Sequence, residues 1–227
     1  FKAAFATPVA EKIRLITNFL GIRNRYIKFL GGLRKSDSIL EIGCGDGSFM
    51  KALKNVGYEN IIGIDPSPTY SAVDPALSIF QTDAISFFSD KIHGPFDAIL
   101  MLDVIEHIPP KNLSIIVSLL HDNLSDSGFV VIRTPNMASP LALRNYFGDL
   151  SHACPLNQDS IRQLFFGSGF KRIRFAPEPF HYPRGVMGLI GIVLWPPALF
   201  LFKSLYSAFG VNKLVLTPNL IVILRKN

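Results

Sequence analysis

Unbroken apolar runs recur along this chain, and each stops at a polar or glycine-rich turn. Ile39-Leu40-Glu41-Ile42 runs into Gly43-Cys44-Gly45-Asp46-Gly47-Ser48. Ile61-Ile62-Gly63-Ile64 stops at Asp65, and Ile79-Phe80 leads through Gln81-Thr82 to Asp83-Ala84. Residues 96–102 run into Asp103-Val104-Ile105-Glu106-His107-Ile108, residues 128–132 into Arg133-Thr134-Pro135-Asn136, and a last run covers 219–226. Continuous rather than alternating apolarity predicts strands buried on both faces. Between the runs the apolar positions change to a spacing of three and four, which predicts helices. Phe49, Met50, Ala52, Leu53 and Val56 follow the glycine turn. Pro109-Pro110 opens a helix over 111–123, and a helix over 159–169 ends on Gly169 before a strand at 170–175. Helical spacing over residues 9–33 places one or two helices ahead of the sheet. Strand and helix alternate, so the fold class is α/β.

The glycine turn carries the most chemistry. A dinucleotide fingerprint, G-x-G-x-x-G, would place its third glycine at position 48, where this chain has Ser48. The order here is E-x-G-x-G-x-G, with Asp46 beside the helix start, an awkward neighbour for a pyrophosphate. Asp65 ends the next strand about twenty residues later, where an acidic side chain can accept from both ribose hydroxyls of a nucleoside. This turn resembles motif I of the class I S-adenosylmethionine-dependent methyltransferases, whose cofactor carries a sulfonium cation and no phosphate. Asp103-Val104-Ile105-Glu106-His107 is similar to the D-x-x-E-H turn of the ubiquinone-type and glycan-type O-methyltransferases. The resemblance covers residues 36–175 and 219–226.

The resemblance implies a Rossmann-like, seven-stranded, mostly parallel sheet with helices on both faces and an antiparallel last strand. It also implies that S-adenosyl-L-methionine, leaving as S-adenosyl-L-homocysteine, is held by Glu41, Gly43, Cys44, Gly45, Gly47, Asp65, Pro66, Asp83, Ala84 and Leu102. Asp83 would reach the adenine amino group while the Ala84 backbone N–H approaches the ring. Residues 1–35 would form a helical cap of the kind that covers the cofactor in this family, and residues 36–227 the methyltransferase domain.

Composition fits one such domain: the chain has 227 residues, 48% of them hydrophobic. Cys44 and Cys154 are its two cysteines, which gives no disulfide framework and points to a reducing, cytoplasmic compartment. The N-terminal region shows no signal-peptide pattern. Charge is uneven. Residues 1–35 carry a net +7, residues 36–170 a net −8 and residues 171–227 a net +7. The basic flanks either attract an anionic surface, substrate or lipid head group, or only balance the acidic core.

An uncharged stretch, residues 185–202, approaches the length of a membrane span. Pro196-Pro197 at its centre and sheet strands on both sides argue against crossing a bilayer. The pattern instead predicts an apolar helical insertion over about 184–210, built as two helices, 186–194 and 198–209, lying at a surface. A membrane surface or lipid-linked acceptor, a homodimer interface and internal packing all stay open for it.

Methyl transfer from a sulfonium is an in-line displacement, so alignment in a dry pocket dominates. A hydroxyl acceptor adds the need for a base, and His is the usual one near neutral pH. His107 follows the fourth strand at the edge where open sheets bind ligands, and His152 precedes the penultimate helix. The resemblance implies a catalytic base at one of them, although Pro155-Leu156-Asn157 departs from the aromatic pattern expected after His152. His93, His121 and His181 read as surface or loop residues. No His/Cys/Asp set has metal-ligand spacing, so no metal is expected. The expected activity is O-methylation of a small-molecule, carbohydrate (glycan) or lipid-linked acceptor. Alternatives are a nucleic-acid or protein methyltransferase, or a non-catalytic cofactor-binding partner. Nucleic acid is disfavoured, because no RNA-binding module is present and Thr134-Pro135-Asn136 lacks the aromatic of an exocyclic-amine motif.

Overall fold

The computed structural model describes residues 26–66, 77–89, 94–178 and 186–226, with α6 side chains from 190 onward except 192. The expected cap helices of residues 1–25, and His93 and His181, lie outside these residues. The strands are β1 (Ile39–Ile42), β2 (Ile61–Ile64), β3 (Ser78–Phe80), β4 (Phe96–Leu102), β5 (Leu124–Pro135), β6 (Arg172–Pro177) and β7 (Asn219–Arg225). The helices are α1 (Ser48–Asn55), α2 (Ala84–Ser89), α3 (Pro110–Asp122), α4 (Ala142–Phe147), α5 (Gln158–Leu164) and α6 (Val186–Ala208). Single 3-10 turns form at Ile27–Leu30 and Ile105–His107.

One seven-stranded sheet has the order β3-β2-β1-β4-β5-β7-β6. β1 to β5 pair in parallel, while β7 runs antiparallel to both β5 and β6. This is the expected architecture. Its cause shows in the burial: Ile39, Leu40, Glu41 and Ile42 are all buried, as a strand covered on both faces requires. Alternate residues feed two cores. Leu40, Ile42, Ile99, Met101, Val130 and Val222 pack toward α2, α3 and α5. Ile39, Ala98, Leu100, Phe129, Val131 and Ile221 pack toward α1 and the Tyr26–Leu30 turn.

Strand order reverses between β1 and β4, so their carboxyl ends splay apart and leave a crevice. The backbone shapes it. Gly43 has φ +72°, and a Cβ there would collide with the Val104 side chain beyond β4. Gly63 inside β2 leaves room for the Cys44 and Met50 sulfurs, which anchor the turn and α1 from beneath. A capping box starts α5: the Asn157 side chain accepts the Ser160 N–H, while the Ser160 hydroxyl accepts the Asn157 N–H.

The expected pair of helices at 186–194 and 198–209 is instead one helix of 23 residues, with Pro196 and Pro197 inside it. Proline fixes φ near the helical value, so the chain can pass through a pair of them at the cost of two missing N–H donors. Val193, Phe200, Leu201 and Phe209 of this segment are two-thirds exposed or more. The Tyr206 hydroxyl donates to the Ala138 carbonyl at 3.3 Å and ties the far end to the body. Among the described residues, no helix is long and apolar enough to cross a membrane.

Candidate active site

The glycine turn is held by β2. Gly43 and Cys44 N–H groups both donate to the Ile64 carbonyl, at 2.7 and 3.1 Å, and the Gly45 N–H donates to the Asp65 carboxylate at 2.8 Å. Asp46 accepts the Ser48 N–H at 3.0 Å and the Ser48 hydroxyl at 2.5 Å, which orders the entry to α1. Gly45 and Gly47 both lie at positive φ, and a Cβ on Gly47 would collide with the Leu77 and Ile79 side chains.

A cleft of about 310 Å3 opens above this turn, within the roughly 300–1,000 Å3 typical of small-molecule sites. Ile42, Gly43, Ile64 and Pro66 form one wall, Thr82, Asp83, Ala84 and Ile85 the second, and Val104, His107, Ile108 and Ile116 the third. No Lys or Arg lines it among the described residues, which suits a nucleoside without phosphates. Asp83 caps α2: one carboxylate oxygen accepts the Ile85 and Ser86 N–H groups, and the other accepts the Ser86 hydroxyl at 2.8 Å. The bond from the Ser86 N–H, aided by the Ser86 hydroxyl and Ile85 N–H and opposed by partial burial, holds this carboxyl below its ordinary range. A carboxylate has about four lone-pair sites, so the cap leaves capacity for a ligand amino group.

Of the expected cofactor residues, Gly43, Pro66, Asp83 and Ala84 line the cleft, whereas Glu41, Cys44, Gly45, Gly47, Asp65 and Leu102 do not. Glu41 is fully buried on the Ile39 face of the sheet, away from the cleft. The Cys44 side chain is buried against Met50 and Gly63, and Leu102 is buried on the α1 side, so neither lines the cleft. These three support it from behind. Asp65, beside Pro66 at the end of β2, braces the glycine turn.

A second, open cavity of about 610 Å3 lies beyond β4 and β5. Asp103, Glu106, His107, Arg133, Arg144, Asp149, His152 and Asn219 line it, so His107 borders both spaces. The two expected histidines meet here. Their rings are 4.8 Å apart, and Tyr146 sits 5.4 Å from His152. His107 Nδ1 lies 3.1 Å from the Ser151 carbonyl, and His152 Nδ1 lies 2.7 Å from the Tyr146 carbonyl. A carbonyl only accepts, so both Nδ1 atoms are donors and Nε2 holds the lone pair of each neutral ring. His121, expected at the surface, is instead half-buried, edge-on to Phe170 at 5.4 Å.

Glu106 is 1% exposed, and neither carboxyl oxygen has a hydrogen-bond partner among the described residues. The Thr134 hydroxyl is near enough to favour the ionised form without meeting hydrogen-bond geometry. Burial first, and the neighbouring Asp103 charge second, push the Glu106 carboxyl up to about 8. One ligand-type atom from each of Glu106, His107 and His152 lies within 4.8 Å of the others. Spacing along the chain concealed this cluster, because 45 residues separate the two histidines.

Arg133 and Glu178 went unpredicted. Arg133 donates Nε to Glu178 at 2.8 Å and a terminal nitrogen to Asp103, and the Tyr26 hydroxyl also donates to Glu178. Asp103 takes a left-handed backbone (φ +60°), a conformation that costs a non-glycine residue energy and gathers at functional sites. The signal in the sequence was a lone arginine ending a buried apolar run.

The methyltransferase-domain family matches residues 15–174. An uncharacterized methyltransferase of Oceanobacillus iheyensis is 29% identical over 99 residues, 42% of this chain and 45% of its own length. Human EEF1A lysine methyltransferase 2 is 26% identical over 142 residues, 63% of this chain and 57% of its own length. The chain spans about half the length of these curated relatives. A SAM-dependent methyltransferase of Archaeoglobus fulgidus superposes with a TM-score of 0.67 at 20% identity, over 90% of this chain and 93% of that one, a likeness of fold. Because the family match covers well over half of the residues, the chain belongs to the family of methyltransferase domains.

Proposed function

We propose that this chain binds S-adenosyl-L-methionine in the apolar cleft and methylates a hydroxyl of a small-molecule, carbohydrate or lipid-linked acceptor in the second cavity. The observation that carries the reading is His107, which borders both spaces with its Nε2 lone pair available. When bound, the cofactor supplies an electrophilic methyl group on a sulfonium. Gly43, Gly45 and Gly47 let the backbone approach it, Asp65 and Pro66 receive the ribose, and Asp83 and Ala84 the adenine. The apolar walls exclude water, and the chain's main contribution is alignment of two reactants. His107 or His152 takes the acceptor proton at Nε2, each ring held by a carbonyl at Nδ1. The test is turnover with methyl-labelled cofactor against panels of phenolic, sugar and lipid-linked hydroxyls. Transfer only to peptide amines would favour a protein acceptor, a reading that the similarity to the human lysine methyltransferase supports.

The acceptor-side partner is a membrane surface. Helix α6 exposes Val193, Leu194, Phe200, Leu201 and Leu205 in a region with Lys203 and Lys213 nearby and a net charge of +7 over residues 171–227. An apolar face with a basic surround suits peripheral docking on anionic lipid. A homodimer through the same face is the competing outcome, and solution mass with and without vesicles separates the two.

A further inference from the structure

The Glu106–His107–His152 cluster has more organisation than a base needs. A buried carboxyl without a partner is costly, and such groups call for an explanation such as an ion. Both imidazoles are oriented as metal ligands are, with one ring nitrogen donating to a backbone carbonyl and the other holding its lone pair. The Ser151 hydroxyl also lies 3.1 Å from His107 Nδ1 and donates to Asp149 at 2.5 Å, fixing the loop that holds the ring. Ala153 and Cys154 N–H groups donate to the Glu106 carbonyl at 2.7 and 3.0 Å, which locks the His152 segment onto the Glu106–His107 turn. The ligand atoms already lie within 4.8 Å of one another. Bonds of about 2.0–2.2 Å to a shared ion hold any two ligand atoms no more than about 4.4 Å apart, so the side chains would close in from that spacing on binding.

We propose that Glu106, His107 and His152 bind a divalent cation of the Zn2+, Mn2+ or Fe2+ class, with its open positions facing the acceptor cavity. Two imidazoles and one carboxylate suit such ions better than Mg2+ or Ca2+, which prefer all-oxygen sets. All three residues line the second cavity, so an acceptor oxygen entering it would meet the ion directly. Coordination would acidify that hydroxyl and its proton would pass to solvent in the open cavity, so with the ion bound the cation would replace the imidazole base of the metal-free reading. This inference deepens the proposed acceptor site and rests on it.

The test uses the full chain with metal alone. Mn2+ is titrated by electron paramagnetic resonance and Zn2+ by competition, while S-adenosyl-L-homocysteine binding is measured in parallel. The expected result is one ion per chain, with affinity falling about 10–100-fold or more in Glu106→Gln and His152→Ala and unchanged in His121→Ala. Retained S-adenosyl-L-homocysteine affinity shows that the variants fold. No stoichiometric binding by the native chain, or binding that both substitutions leave intact, overturns the inference while the methyltransferase reading stands. Failure to bind S-adenosyl-L-homocysteine would overturn that reading instead.

Discussion

Replacing Arg133 by Met should cost this fold about 3–5 kcal/mol, the range for removing one partner of a buried ion pair. Arg133 is 18% exposed and joins two carboxylates from separate elements, Asp103 after β4 and Glu178 after β6. Two charge-assisted hydrogen bonds are lost. The one to the largely buried Glu178 is worth about 1.5–3 kcal/mol. The one to Asp103, whose side chain is 40% exposed, is screened and contributes less, and the methionine keeps most of the apolar stem buried. With a urea m-value of about 2–3 kcal/mol/M, the midpoint should fall by roughly 1–2.5 M. The pH dependence gives a second reading. Burial pushes the Glu178 carboxyl up, but Arg133 and the Tyr26 hydroxyl more than offset it, so the folded value lies below the ordinary one. A lowered folded value contributes stability above the unfolded pKa of about 4.3, and that stability is lost as pH falls through the folded value. Without Arg133 the burial effect remains and the carboxyl rises, so protonation relieves the variant. The gap between native and variant should therefore narrow from pH 7 to pH 4. A loss under about 1 kcal/mol, far below the range for a broken buried pair, or a gap independent of pH would refute the network's role.

Gly43→Ala should weaken S-adenosyl-L-homocysteine binding at least tenfold by calorimetry, because its Cβ meets Val104 at a positive φ; unchanged affinity would mean that the turn relaxes freely. His152→Ala should lower turnover by about 10²–10⁴-fold with cofactor affinity unchanged, and His107→Ala, whose side chain also walls the cofactor cleft, should lower turnover similarly with a loss of cofactor affinity besides; full turnover in both would remove the pair from the chemistry. The native chain should sediment with anionic vesicles at low salt and less at high salt, because screening weakens basic contacts. Leu194→Asp with Phe200→Asp should abolish that binding. A dimer that these substitutions split, with no vesicle binding, would assign α6 to a subunit interface.

The sheet was legible because buried parallel strands leave long apolar runs, and the glycine turn because its positive φ values restrict which residues fit. Asp83 was legible as a strand-end carboxylate, but its capping of α2 went unread although the bonds reach only two and three residues along the chain, a local N-cap pattern that spacing does encode. Cys44 and Leu102 sit in the right segments with side chains turned to the core. A one-residue change of facing decides such assignments, and apolar strands covered on both sides do not reveal it. The meeting of His107 with His152 and of Arg133 with Glu178 depends on loop closure over 45 residues in each case, which no local pattern encodes. Helix α6 was misjudged at its prolines, whose hydrogen-bond cost was weighed above their helix-compatible φ.

The central claim is that the glycine turn braced by Asp65 forms a nucleoside site for S-adenosylmethionine. Calorimetric titration of the native chain and Asp65→Ala with S-adenosyl-L-homocysteine tests it most directly. The account predicts one site per chain, with micromolar-range affinity as a roughly 300 Å3 small-molecule cleft allows. It also predicts a loss of about 1–3 kcal/mol, some 5–150-fold, when the carboxylate that holds the Gly45 N–H is removed. No binding by folded native chain, or equal binding by both proteins, would contradict it.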